Sequence, residues 1–195
     1  SLTGVPKAIV HLTDLHADEN VDIVGNKYNW DILSKRIRKH TLENIRTLRA
    51  KGVTDIVVAF TGDLINSSRR LGEITTNSLN NAKVVFVIAD ILMGAILEYN
   101  EYFNISIASV VGNESRLLED IHFEEQIASN NFDFMVNRVL FNQLKDKDGI
   151  NFIPSNNPLE EIIEVNGQNI LLLHGNTIRQ NGLSNYIAKI KTKYA

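Results

Sequence analysis

Four short apolar runs, each closed by a polar cluster, punctuate this chain. Lys7 to Thr13 carries Ala8, Ile9, Val10 and Leu12 and opens into Asp14-Leu15-His16. Asp55 to Thr61, with Ile56, Val57, Val58, Ala59 and Phe60, ends at Gly62-Asp63. Ile105 to Val111 ends at Gly112-Asn113, and Ile170 to Leu173 at His174-Gly175. Unbroken apolar stretches of this length suit strands buried on both faces of a sheet, so the polar residues gather at strand C-termini.

Between the first two runs, the segment from Asn29 or Asp31 to Lys51-Gly52 sets Leu33, Ile37, Ile45 and Leu48 on one helical stripe, with glycine as the stop. Thr75 to Tyr102 and Leu117 to Lys145 read as two further long helices, the second carrying Ile121, Leu140 and Leu144. Alternation of strand and helix predicts an α/β layered fold with ligands at the carboxyl ends of the strands. Leu159 to Val165 and Asn169 to Leu173, joined through Asn166-Gly167, then read as a hairpin, which a mixed sheet or two packed sheets would accommodate.

Composition narrows the chemistry more than the fold. The chain has 195 residues, enough for one substantial core, and residues 1–195 are read as a single domain. A net charge of -3, with Lys and Arg scattered, argues against a broad nucleic-acid-coating surface but leaves a local basic groove open. Cysteine is absent, so disulfides, thiolate metal sites and cysteine nucleophiles are excluded, and any metal must be held by His, Asp, Glu, Asn or water. The longest apolar run, Ala82 to Leu97, is broken by Lys83, Asp90 and Gly94, and no signal peptide is evident; the reading is a cytoplasmic protein without a membrane partner.

The polar clusters carry the candidate chemistry. Asp14 and His16, alternate residues at a strand end, can set a carboxylate and an imidazole on one cation; alone, a solvated loop pair is the plainer reading. Asp63 follows a glycine that lets the backbone pass closely, and its two oxygens could bridge two metals; alone, it is a turn aspartate. Asn113 offers a neutral oxygen suited to a hard cation, and His174 an imidazole. Four such clusters at four strand ends argue for one joint site. Elsewhere, His11 reads as a packed core residue, His40 and His122 as helix-surface or helix-interface residues, and Arg69-Arg70 as a solvated loop pair. Arg116, close to the third cluster, is the stronger candidate for a phosphate contact.

In this order the clusters resemble the calcineurin-like metallophosphoesterases, whose signature runs Asp-x-His, Gly-Asp, Gly-Asn-His-Asp/Glu, a later His, and Gly-His-x-His. Asp14/His16, Gly62-Asp63, Gly112-Asn113 and His174 match the first four, from Ile9 to Gly175. The resemblance implies a four-layer α/β/β/α sandwich with mixed sheets, and hydrolysis of a phosphate ester by a hydroxide held between two metals about 3.5–4 Å apart. It implies that Asp14 and His16 bind one metal, Asp63 bridges, and Asn113 and His174 bind the second, with Mn²⁺ the first choice and Fe, Zn or Ni as alternatives. The substrate class stays open between nucleic acid, phosphoprotein and small ester. Two departures are visible. Glu114 stands where the family has His, as a tentative proton donor, a metal-facing ligand or a surface residue. No Gly-His-x-His follows His174, so the reading expects a chain lacking its C-terminal part. These departures support the alternative of a catalytically impaired module that keeps the fold as a binding platform. A flavodoxin-like nucleotide binder would need a glycine-rich loop after the first strand, which is missing.

Overall fold

A computed structural model describes residues 7–117, 129–155, 157–176, 178 and 182–193. In chain order, β1 (Lys7–Leu12) leads through a loop to the small antiparallel pair β2 (Val21–Ile23) and β3 (Asn26–Tyr28), then to α1 (Trp30–Ala50). β4 (Asp55–Thr61), α2 (Leu71–Thr76), α3 (Asn81–Asn100) and β5 (Asn104–Val110) follow. The remainder comprises α4 (Phe132–Leu144), β6 (Ile150–Phe152), β7 (Glu160–Val165), β8 (Gln168–Leu173) and α5 (Leu183–Lys193). Strands β1, β4, β5 and β6 form one sheet in the order β1-β4-β5-β6, every pair parallel; β7 and β8 form an antiparallel hairpin. The protein is α/β, and among the described residues each sheet is of one sense rather than mixed.

The alternation of side chains along β4 explains the layering. Ile56, Val58 and Phe60 point to one face, where they pack with Leu33, Ile37 and Ile45 of α1, Ile88, Leu92 and Ile96 of α3, and Val136 and Leu140 of α4. Val57 and Ala59 point to the other, where Ala108 and Val110 of β5 join Ile163, Val165 and Leu172 of the hairpin in a second core. Helices, parallel sheet and hairpin thus stack as three layers, and the central strands β4 and β5 carry apolar residues toward both faces because both are covered. The hairpin turns through Asn166 (φ 53°) and Gly167 (φ 75°), the left-handed pair that suits a tight two-residue turn. Asn166 also ties the hairpin to β1, its side chain accepting from the Lys7 N–H at 2.9 Å and donating to the Lys7 carbonyl at 3.0 Å.

Several expectations are adjusted. The helix expected over Thr75 to Tyr102 is two helices, because Asn80 caps α3 by accepting from the Lys83 N–H at 3.1 Å, and Asn77 leaves the helical conformation at the end of α2. Of the helix expected over Leu117 to Lys145, the described residues show α4; Ile121, His122 and Phe123 lie outside them. His11 is not in the core. The hairpin covers β4 and β5 rather than this part of edge strand β1, leaving His11 exposed, its Nε2 2.6 Å from Thr61 Oγ1. Among the described residues no helix is long and apolar enough to cross a membrane.

Candidate metal centre

The strand ends converge because pairing continues past the sheet. The Asp14 N–H donates to the Gly62 carbonyl at 3.0 Å, His16 to Asp63 at 3.0 Å, and Ala17 to Leu64 at 2.9 Å, so the loops after β1 and β4 run side by side. Asp14, His16 and Asp63 consequently offer ligand atoms all within 4.8 Å of one another. All three residues, with Asp18 nearby, hold left-handed backbones: φ is 52° at Asp14, 43° at His16, 77° at Asp18 and 53° at Asp63. That conformation disfavours side-chain-bearing residues, and its clustering at one spot is the kind of stored strain found at functional sites.

The other two expected ligands meet each other, and His174 reaches the Asp63 carboxylate. His174, at the end of β8, brings Nε2 to 3.0 Å from Asp63 Oδ2 and 3.1 Å from Asn113 Oδ1. Its Nδ1 sits 2.8 Å from the Thr61 carbonyl; Nδ1–H donating there leaves Nε2 facing the centre, the arrangement by which outer hydrogen bonds orient metal-binding imidazoles. Asp63 is almost fully buried, groups with Asp14 and His16, and contacts His174, which in turn contacts Asn113. Its Oδ1 accepts from the Glu114 N–H at 2.8 Å. The donor set of carboxylates, imidazoles and an amide oxygen fits hard or borderline divalent cations.

The Glu114 carboxylate has a different employment from the one expected. One oxygen receives the Asn113 amide Nδ2, which turns Asn113 Oδ1 toward His174; the other takes Arg69 Nη2 at 3.0 Å. Arg69 is not solvated, its side chain being 8% exposed, whereas Arg70 pairs with Glu73 at 2.9 Å nearer the surface. Arg116 is half-buried, donates from Nε to the Asn113 carbonyl at 2.8 Å, and lies within electrostatic reach of Glu114 and Asp63. No protein-family model and no curated protein matches this chain.

Two aspartates outside the expected set hold the centre together. Asp133, in the first turn of α4, is fully buried. Its Oδ2 accepts from the N–H groups of Asp63 at 2.8 Å and Gly112 at 2.9 Å; its Oδ1 accepts from the Leu64 N–H at 3.0 Å and the Ser115 hydroxyl at 2.7 Å. Burial pushes this carboxyl above the ordinary range, against the pull of those donors. Asp18, also buried, accepts from the Trp30 indole at 2.7 Å and the Leu79 N–H at 2.9 Å, fixing the loop after β1 to α1 and to the approach of α3.

A proton already has a firm hold on His174. The bond to Asp63 raises its pKa from 6.5 to about 9, outweighing the opposing effect of burial. In the metal-free chain this contact stabilises fully below the ordinary histidine pKa and is lost as pH rises through about 9. A divalent cation bound through His174 would have to displace that proton, so its apparent affinity would climb by up to about tenfold per unit between roughly pH 6.5 and 8.5. Calorimetry in buffers of different ionisation enthalpy should show close to one proton released, and the slope should flatten in His174→Asn.

Proposed function

We propose that this chain is a metal-dependent phosphoester hydrolase of the calcineurin-like metallophosphoesterase type, working in the cytoplasm with two divalent ions, Mn²⁺ first among the candidates. The observation that carries the reading is Asp63: one nearly buried carboxylate groups with Asp14 and His16 and also contacts His174, itself in contact with Asn113. A lone structural aspartate needs neither two imidazoles nor a neighbourhood of left-handed loop residues. In the proposed fold the helices, parallel sheet and hairpin are three layers of the four-layer sandwich, with α5 on the hairpin side, where Tyr186 bonds Glu160 at 3.5 Å.

In this reading Asp14 and His16 hold one ion, Asn113 and His174 the other, and Asp63 both. Bound divalent ions would neutralise charge on a phosphoryl group and acidify water beside it. The chain's own residues set the geometry. Thr61 fixes the His174 ring and Glu114 fixes the Asn113 amide, while Arg116, whose Nε donates to the Asn113 carbonyl, is the residue this reading assigns to a phosphoryl oxygen. A proton-donor role for Glu114 draws no support from the geometry, because both carboxylate oxygens are already engaged, one by Asn113 and the other by Arg69. That same engagement favours the second reading, a binding module without turnover.

Elemental analysis after Mn²⁺ loading, paired with hydrolysis of bis-p-nitrophenyl phosphate, tests both. The intact chain should retain about two equivalents, and Asp63→Ala should lose them together with more than about a hundredfold in kcat/KM. Metal retention without hydrolysis would select the binding module. Absence of metal from both proteins would overturn the dinuclear reading.

A further inference from the structure

A cavity of about 460 Å³ opens beside the proposed centre, and Asp14 and His16 are part of its wall. Its opposite walls come from α1 and from the β2–β3 hairpin, neither of which contributes a candidate metal ligand. The hairpin's register shows how it is presented. Val21 pairs with Tyr28 and Ile23 with Asn26, so these four share one face, and Val21, Asn26 and Tyr28 line the cavity. Asp22 and Lys27 pair on the other face, at 3.1 Å.

The interior is apolar, with Leu15, Leu33 and Ile37 along it, while the groups able to recognise a polar edge are Asn26, Arg36 and His40. Arg36 stands over the Tyr28 ring at 5.4 Å, and the Tyr28 hydroxyl donates to the Leu15 carbonyl, which holds the aromatic wall in place. Burial lowers the His40 pKa, so the imidazole is neutral near pH 7 and can both donate and accept. Glu19 is the one lining acid besides Asp14. A phosphoryl group alone would not occupy this space, which lies in the range of small-molecule pockets.

We propose that the cavity receives a nucleobase, so that the phosphate esters turned over at the centre are those of nucleotides rather than of phosphoserine or phosphothreonine side chains. The substrate part of this assignment rests on the phosphoesterase reading; the base pocket itself does not. A planar heterocycle has the flat apolar faces to fill the space beside Tyr28 and the ring nitrogens to meet Arg36, His40 and Asn26, and its sugar-phosphate arm would point along the wall toward Asp14 and His16. An aliphatic ester arm would offer Arg36, His40 and Asn26 no ring nitrogen to meet.

Binding, measured independently of turnover, decides it. On the Mn²⁺-loaded chain, adenosine 5′-monophosphate should bind about tenfold or more tighter than inorganic phosphate, the gain a stacked base brings. Val21→Trp and Asn26→Trp, which fill the cavity from the exposed hairpin without altering a core position, should each erase that gain. Adenosine titrated into the metal-free chain should shift the NMR signals of Tyr28 and His40. Equal affinities for the nucleotide and phosphate, or a gain that survives both filling variants, would overturn the proposal. Adenosine binding at Tyr28 and His40 in a chain that hydrolyses nothing would instead keep the base pocket and remove the phosphoesterase reading.

Discussion

Replacing Asp133 with alanine is expected to cost on the order of 4 kcal/mol of stability or more, enough to unfold much of a marginally stable domain. The reason is the number of groups that depend on one side chain. Three backbone N–H groups, from Asp63, Leu64 and Gly112, and the Ser115 hydroxyl all meet the carboxylate, and none has water within reach because Asp133 is fully buried. A buried donor left without an acceptor costs about 1–3 kcal/mol. Asp133→Asn keeps one oxygen and turns an amide N–H₂ toward donors, so it should lose about 1–3 kcal/mol and still fold. Urea denaturation followed by far-UV circular dichroism reads both. A loss below about 1 kcal/mol for the alanine variant would mean that the two loops hold their positions without this brace.

That brace is the part of the site the sequence conceals. Asp133 looks like an ordinary acidic residue in the first turn of a helix, and Asn131 before it like an ordinary cap; both descriptions are correct, since Asn131 accepts from the Asp133 N–H at 2.8 Å. Nothing local says that the carboxylate turns inward to residues 70 and 21 positions earlier in the chain. Arg69 and Glu114 are hidden for the same reason, a pairing across 45 residues. The apolar runs, by contrast, announce β1, β4, β5 and β8 because few polar positions interrupt the apolar residues of each. Asp14, His16, Asp63, Asn113 and His174 could be chosen because each directly follows such a run. Strands β2, β3 and β6, of three residues each, are too short for any period to show, and with β2 and β3 goes the cavity wall they build.

Gly112→Ala should rank just below Asp133→Ala among substitutions outside the ligand set, destabilising by about 3 kcal/mol and, on the proposed function, removing Mn²⁺ binding. A Cβ on Gly112 would lie 2.0 Å from Asp63 Oδ1 and 2.3 Å from the Asp63 nitrogen. Asp63 cannot yield: its N–H is held by Asp133 and its carbonyl by His16. The loops after β4 and β5 would have to part, and with them the Asp133 bonds that span both. The same one-carbon addition at Gly94, an exposed position of helix α3 with nothing within 4 Å of its Cβ, should raise stability by about 0.5–1 kcal/mol because alanine is the better helix former. Thermal melts with and without Mn²⁺ separate the effects. Gly94→Ala should shift both melts upward equally, whereas Gly112→Ala should lower the metal-free melt and abolish the rise that metal brings, since a ligand stabilises only the state that can bind it. A Gly112→Ala chain that still gains stability from Mn²⁺ would place the ions away from Asp63, because no arrangement of that carboxylate accommodates the added carbon and its present position together.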